Sequence, residues 1–291
     1  MSALERAFSS GEFAVTAEIA PPKGTDTSGM MEDAEHLRGK VHAINVTDQQ
    51  SSVMRLGSLA GCRLLGDAGL ETVFQLTARD RNRIALQSDL LSAYALGVEN
   101  VLCLTGDHTA LGDHPQAKPV FDLDSVSLLK AASDLCEGHD MAGNELSGKP
   151  AFCLGAVVTP GYEPMELQLL KMERKAKAGA VFFQTQAVYD LELLGKFMDG
   201  ARELNVPVML GFVLLKSAGM ARYMNKNVAG VSVPDWIIEK MNDTDDKAGT
   251  SIEIAVSIIK EAKGMCQGLH LMTLGWERHV PSILEGAAIA I

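Results

Sequence analysis

Eight short apolar runs recur along the chain, each separated from the next by a longer stretch. They are FAVTAEI (13–19), VHAINVT (41–47), ETVFQLT (71–77), VENVLCLT (98–105), AFCLGAVV (151–158), AVFFQTQ (180–186), VPVMLGFV (206–213) and GLHLMTL (268–274). Several are apolar almost throughout, the pattern of parallel strands buried on both faces. The stretches between them have helical spacing; NRIALQSDLLSAYALG, for example, carries Ile84, Leu86, Leu90, Leu91, Ala95 and Leu96. Gly69, Gly97 and Gly179 stand just before the third, fourth and sixth runs, where a helix ends on a left-handed residue. Asp124 is placed to cap the helix after the fourth run. Eight strand–helix units predict an α/β fold, the (β/α)8 TIM barrel, with a doubly wound open sheet as the alternative. No linker divides residues 1–291, so a single barrel domain is expected. Of the two longest irregular stretches, 106–123 follows a strand's C-terminal end, where barrels carry chemistry, and 137–150 precedes the fifth strand and belongs to the opposite face.

Composition removes several classes of function. A formal charge of −11 argues against nucleic-acid binding, while leaving room for a local basic pocket that takes an anionic cofactor. Cys62, Cys103, Cys136, Cys153 and Cys266 form no CxxC pair, which speaks against a disulfide framework or a cysteine metal site and for a reducing, cytoplasmic location. Cys103 and Cys153 read as small core residues. The first residues lack the apolar core of a signal peptide, and no apolar run approaches the roughly 20 residues of a membrane span. GxGxxG and Walker A motifs are absent, so any nucleotide cofactor has to be held by barrel loops. His108 and His114, with Asp107 and Asp113, fix no coordination geometry, and no metal is expected.

The strand ends are polar. Glu18, Thr47 with Asp48 and Gln49, Gln75 with Thr77, Thr105-Gly106-Asp107, Gln184 with Gln186, and Lys216 all fall there. A scaffold needs none of these in a barrel mouth. Glu18 lies between Ala17 and Ile19; apolar surroundings favour the neutral acid, which can serve as a general acid. Pro21 and Pro22 stiffen the chain just after it. Gly106 permits a tight turn, and the Asp107 carboxylate after it suits a heterocyclic N–H or a cofactor whose electron affinity it would tune. Arg79, Asp80 and Arg81 read equally as a phosphate contact or a solvated loop.

The collinear set AEIAPP, INVTDQQSS, FQLTARDRNR, VLCLTGDH, LLKMERKAKAGA and FFQTQAVYD, with a lysine after the seventh strand, resembles the methylenetetrahydrofolate reductase family in its bacterial single-domain form. The resemblance runs over about residues 10–290, and DHTALGDHPQAKPVFDLDSVSLL is similar to members from acetogen-like metabolism. It implies a barrel that holds a flavin at the strand C-termini and reduces 5,10-methylenetetrahydrofolate to 5-methyltetrahydrofolate by hydride transfer. In that frame Glu18 and Asp107 are the catalytic residues and both contact the substrate, Glu18 as the acid that helps open its five-membered ring and Asp107 from a place near flavin and pterin. Thr47, Gln75, Thr105, Gly106, Ala156, Gln168 and Lys175 fall at cofactor-binding positions, and Gln186 and Tyr223 at substrate-binding positions. Thr105 replaces an arginine, Gln75 a histidine and Gln168 an acid, which leaves FAD and FMN both open. Met220 stands near a glutamine position of the strand-seven loop. The electron donor is accordingly NAD(P)H or a partner subunit, and an oligomer or heteromeric complex is expected. The competing functions are a folate-binding methyltransferase barrel and a non-catalytic flavin or folate subunit of a larger complex.

Overall fold

The eight apolar runs become eight parallel strands in the computed structural model, which describes residues 1–291. They are β1 (Ala14–Ile19), β2 (Ala43–Val46), β3 (Thr72–Thr77), β4 (Asn100–Leu104), β5 (Cys153–Val158), β6 (Phe182–Ala187), β7 (Val208–Val213) and β8 (Gly268–Met272). Each pairs with its neighbour in sequence, and β8 closes on β1 with Ala14 opposite Gly268 and Thr16 opposite His270. Closure excludes the open sheet and establishes the (β/α)8 barrel.

Eleven helices accompany the strands: α1 (Ala3–Ser10), α2 (Ser28–Glu35), α3 (Ser58–Asp67), α4 (Arg83–Ala95), α5 (Ser125–Glu137), α6 (Met165–Lys177), α7 (Leu191–Ala201), α8 (Ala218–Asn227), α9 (Asp235–Asn242), α10 (Lys247–Ala262) and α11 (Val280–Gly286). None is long and apolar enough to cross a membrane. Asp124 caps α5 as its position predicts, its side chain accepting from the Ser127 N–H at 2.8 Å. Gly97, just past α4, has φ +90°, a conformation that costs a residue with a Cβ.

Alternation along each strand divides the interior into two regions. Val15, Ala17 and Ile19 of β1, with Leu154, Ala156 and Val158 of β5 and their equivalents, face the helices and form the large core between sheet and helix layer. The barrel's own interior is filled from the bottom by Ala14, Ala43, Val73, Leu102, Cys153, Phe182 and Met209. Helix α1, which the sequence reading does not anticipate, contributes Leu4 and Ala7 to that cluster and lays Phe8 on Phe182 with ring centroids 5.3 Å apart. Glu71 holds its first turn by accepting from the Ala3 and Leu4 N–H groups. The N-terminal mouth is thereby plugged.

Above this apolar floor lies a cross-linked polar layer. Asn45 donates to Gln184 at 3.0 Å, Gln184 donates to Thr16 at 3.1 Å, and Thr16 pairs with His270 Nδ1 at 2.9 Å. Satisfied in this way, polar side chains are tolerated inside the barrel. One irregularity breaks the ladder: the register shifts between Gln184 and Ala187, where β6 bulges against β7. A Cβ on Gly211 would lie 2.0 Å from the Thr185 carbonyl oxygen, so only glycine allows the bulged backbone this close. Such bulges re-aim side chains, and here the side chain at the bulge is Gln186.

Candidate active site

Glu18 is the penultimate residue of β1, on the inward face, and is 8% exposed. The sequence reading places it in apolar surroundings because Ala17 and Ile19 flank it, and the structure corrects this. Alternation turns both neighbours to the helix layer. What faces the carboxylate instead is polar: Gln50 Nε2 donates to Oε1 at 3.0 Å and Gln75 Nε2 to Oε2 at 3.2 Å, with His270 Nε2 3.8 Å from Oε2. Thr273 donates to the Glu18 main-chain carbonyl or to Glu277 Oε1, its hydroxyl oxygen lying 3.1 and 2.7 Å from them. Gln75 therefore joins Glu18 directly. Thr47, one strand along, is buried, and its hydroxyl has no partner in the protein.

A second polar group builds the rim between the loops after β2, β3 and β4. The Asp48 side chain is fully buried and accepts from the Thr77 N–H at 2.9 Å, the Thr77 hydroxyl at 2.8 Å and Arg81 Nη1 at 2.7 Å. Arg79 is no solvated loop residue: at 2% exposure it holds Asp80 with two nitrogens and donates to the main-chain carbonyls of Asp107 at 3.3 Å and Gln49 at 3.4 Å. Gly106 turns with φ +90° over this arginine, and a Cβ there would sit 3.1 Å from Arg79 Cβ. The turn leaves Asp107 exposed at the rim, with its carbonyl rather than its carboxylate engaged by Arg79.

The remaining candidates disperse. Ala156 faces the helix layer, so its side chain is not in the mouth and β5 offers there only its backbone and the inward Gly155 and Val157. Thr105 accepts from the Ser125 N–H at 3.0 Å and so anchors the start of α5. Gln168 is buried within α6. Lys175, also on α6, reaches back to donate to the Val157 carbonyl at 2.6 Å, and burial lowers its amine to about 8. Gln186 is half-buried at the bulge, whereas Tyr223 is 63% exposed on α8. His108 and His114 serve their own loop, His108 accepting from the Ala110 N–H and His114 pairing with Asp113. Burial pushes the thiols of Cys62, Cys103 and Cys153 up to about 12, which makes them packing groups rather than nucleophiles.

Two contributors escape the sequence reading, and a third, Arg79, is left there between two roles. Gln50 lies beyond the second strand, and only the turn of its loop carries it to Glu18. His270 sits mid-strand in GLHLMTL, where a lone histidine has no local signal, and the β8–β1 closure brings it to Glu18. Arg79 needed its burial to be known.

A closed parallel barrel with a buried carboxyl group among amide and imidazole groups at its C-terminal mouth presents a candidate acid at the end of the barrel where barrel enzymes carry their chemistry. The sequence profile of the family described as methylenetetrahydrofolate reductase matches residues 3–288, and the chain belongs to that family. It is 27% identical over 239 residues to methylenetetrahydrofolate reductase 2 of Schizosaccharomyces pombe, covering 74% of this chain and 35% of that protein. With 5,10-methylenetetrahydrofolate reductase of Escherichia coli it shares 24% identity over 198 residues, 66% of this chain and 61% of that one. A probable methylenetetrahydrofolate reductase (NADPH) of Caenorhabditis elegans is matched over 34% of its length, so the chain spans about a third of these two eukaryotic relatives. Among solved structures, a Clostridium thermocellum protein described as binding two copies of 5-methyl-5,6,7,8-tetrahydrofolic acid superimposes with a TM-score of 0.67 at 16% identity, over 98% of this chain and 99% of that one. At that identity the likeness is one of fold.

Proposed function

We propose that this barrel reduces 5,10-methylenetetrahydrofolate to 5-methyltetrahydrofolate with a flavin held at the strand C-termini, and that residues 1–291 form the catalytic unit. The observation that carries the reading is Glu18, a shielded carboxyl group at the centre of the mouth with amides on both oxygens. Family membership supplies the substrate class. The flavin is FAD or FMN, and its electrons come from NAD(P)H or from a partner subunit.

The donor set suits a flavin. The Thr47 hydroxyl is buried and free of protein partners, the sort of group a heterocyclic ligand satisfies. Lys175 offers a cation beside the end of β5 for a phosphate. Gln75 and Gly106 line the mouth nearby, and Asp107 stands at its rim. When bound and reduced, the flavin supplies the hydride. Glu18 gives its proton to the substrate nitrogen that departs as the five-membered ring opens, and Gln186 holds the pterin. His270 lies 3.8 Å from the same carboxyl group and keeps the site polar around it. The Thr16 hydroxyl already accepts from Gln184, so its own hydrogen is free to point at His270 Nδ1, which leaves the ring hydrogen on Nε2, towards Glu18.

Two measurements test the cofactor part. The purified chain reconstituted with FAD and with FMN is expected to retain one of them through gel filtration and to show its visible absorption. A chain that retains neither excludes flavin as the hydride carrier. Lys175 adds a pH dependence. Its amine, lowered to about 8 by burial, is charged below that value and neutral above it, so flavin affinity is expected to fall as pH rises through 8. Lys175→Met should weaken binding below that pH and flatten the profile. Fluorescence-quenching titrations on either side of it decide the matter, and a wild-type affinity that does not move with pH would remove Lys175 from the phosphate site.

A further inference from the structure

The backbone that delivers Gln50 is unusual. Gln49, Ser51 and Ser52 all take positive φ, at 44°, 55° and 60°, and none is glycine. Left-handed conformations at residues with a Cβ persist only where the surroundings impose them, and they gather at functional sites. Here the surroundings are on view. Arg79 holds the Gln49 carbonyl from below, and the Ser52 N–H donates to that same carbonyl at 2.9 Å. The Met54 N–H donates to Asp113 Oδ1 at 3.1 Å, and Lys23 ion-pairs with the same carboxylate. Gly112 presses so close that a Cβ on it would lie 1.8 Å from the Ser52 carbonyl oxygen. Loops after β1, β2 and β4 are thus clamped together around a strained turn.

The side chain that this turn directs onto a site group is that of Gln50, whose amide donates to Glu18 Oε1. A Glu18 oxygen that does not carry the acid's proton can only accept, so the amide turned to Oε1 presents its N–H. Gln75 reaches the other oxygen from β3, a regular strand. Glu18 is therefore gripped from two sides, by one rigid support and one clamped support.

We infer that Gln50 is a positioning residue for the proposed reaction, fixing the Glu18 carboxyl group in the orientation from which it delivers its proton. The inference rests on the reading of Glu18 as the acid. Its consequence is separable from substrate and cofactor affinity: a misdirected acid slows the proton-transfer step, while binding of pterin and flavin is left in place.

The test compares Gln50→Met, which keeps length and removes the donor, and Gln50→His, which keeps a ring N–H, with Glu18→Gln in the flavin-loaded protein. Gln50→Met is expected to lower kcat by about tenfold, the upper end for one lost hydrogen bond, with KM, flavin content and thermal midpoint close to wild type. Gln50→His should recover most of that loss. Wild-type kcat in Gln50→Met beside an inactive Glu18→Gln would overturn the positioning role and leave the acid assignment standing. A loss in Gln50→Met that tracks flavin content, or that Gln50→His does not repair, would overturn it too. Full activity in Glu18→Gln would overturn both readings together.

Discussion

Glu18→Gln is expected to lower reduction of 5,10-methylenetetrahydrofolate by about 10²–10⁴-fold, the range of a lost general acid, with flavin binding retained. Glutamine matches the carboxylate in size, so the mouth keeps its shape. The Gln50 and Gln75 amides can each turn to meet an amide partner, and Thr273 reaches the main-chain carbonyl at position 18, which the change does not touch. What the variant lacks is a proton to give. Product formation measured beside flavin content separates the two functions. Unaltered turnover would remove Glu18 from the chemistry, and parallel loss of flavin would make it a cofactor ligand.

The second large effect is on stability. Asp48→Ala is expected to cost about 3–5 kcal/mol, the usual result of leaving one partner of a buried ion pair uncompensated. Asp48 accepts from the Thr77 N–H, the Thr77 hydroxyl and two Arg81 nitrogens with its side chain wholly buried. Burial works against the Arg81 charge, and hydrogen bonding to Asp48 together with the charges of Asp48, Asp89 and Asp80 outweighs it and holds the guanidinium above its ordinary value. Asp89, 2.9 Å from Arg81 Nε, remains as a partner and places the cost toward the lower end of that range. Urea denaturation of wild type and variant gives the difference. A loss below about 1 kcal/mol would mean that the pair behaves as a surface contact.

The architecture was legible because burial on both faces of a parallel strand leaves an unmistakable apolar run, and because Gly69, Gly97 and Gly179 mark where helices stop. Helix α1 was not legible: ALERAFSS pays for its order by plugging the barrel floor, a contact visible only after closure. Helix α9 is too short, at eight residues, to stand out by periodicity. In the site, Glu18 and Gln75 declared themselves as polar residues ending apolar strands. Their setting did not, because sequence neighbours such as Ala17 and Ile19 point away from the chemistry. Ala156 shows the same alternation working against a position transferred by resemblance. Gln50, Arg79 and His270 depend on loop strain, loop clamping and the β8–β1 seam, and these are properties of the closed barrel rather than of any local stretch.

The central claim is hydride transfer from a bound flavin to the folate, and one half-reaction isolates it from the identity of the electron donor. The flavin-loaded chain is reduced with dithionite under anaerobic conditions, freed of excess reductant, and mixed with 5,10-methylenetetrahydrofolate while the flavin's visible band is followed. The account expects the band to return in a single phase with one equivalent of 5-methyltetrahydrofolate formed, and to return far more slowly in Glu18→Gln. A flavin that stays bleached in the presence of substrate, with no methyl product, would contradict it.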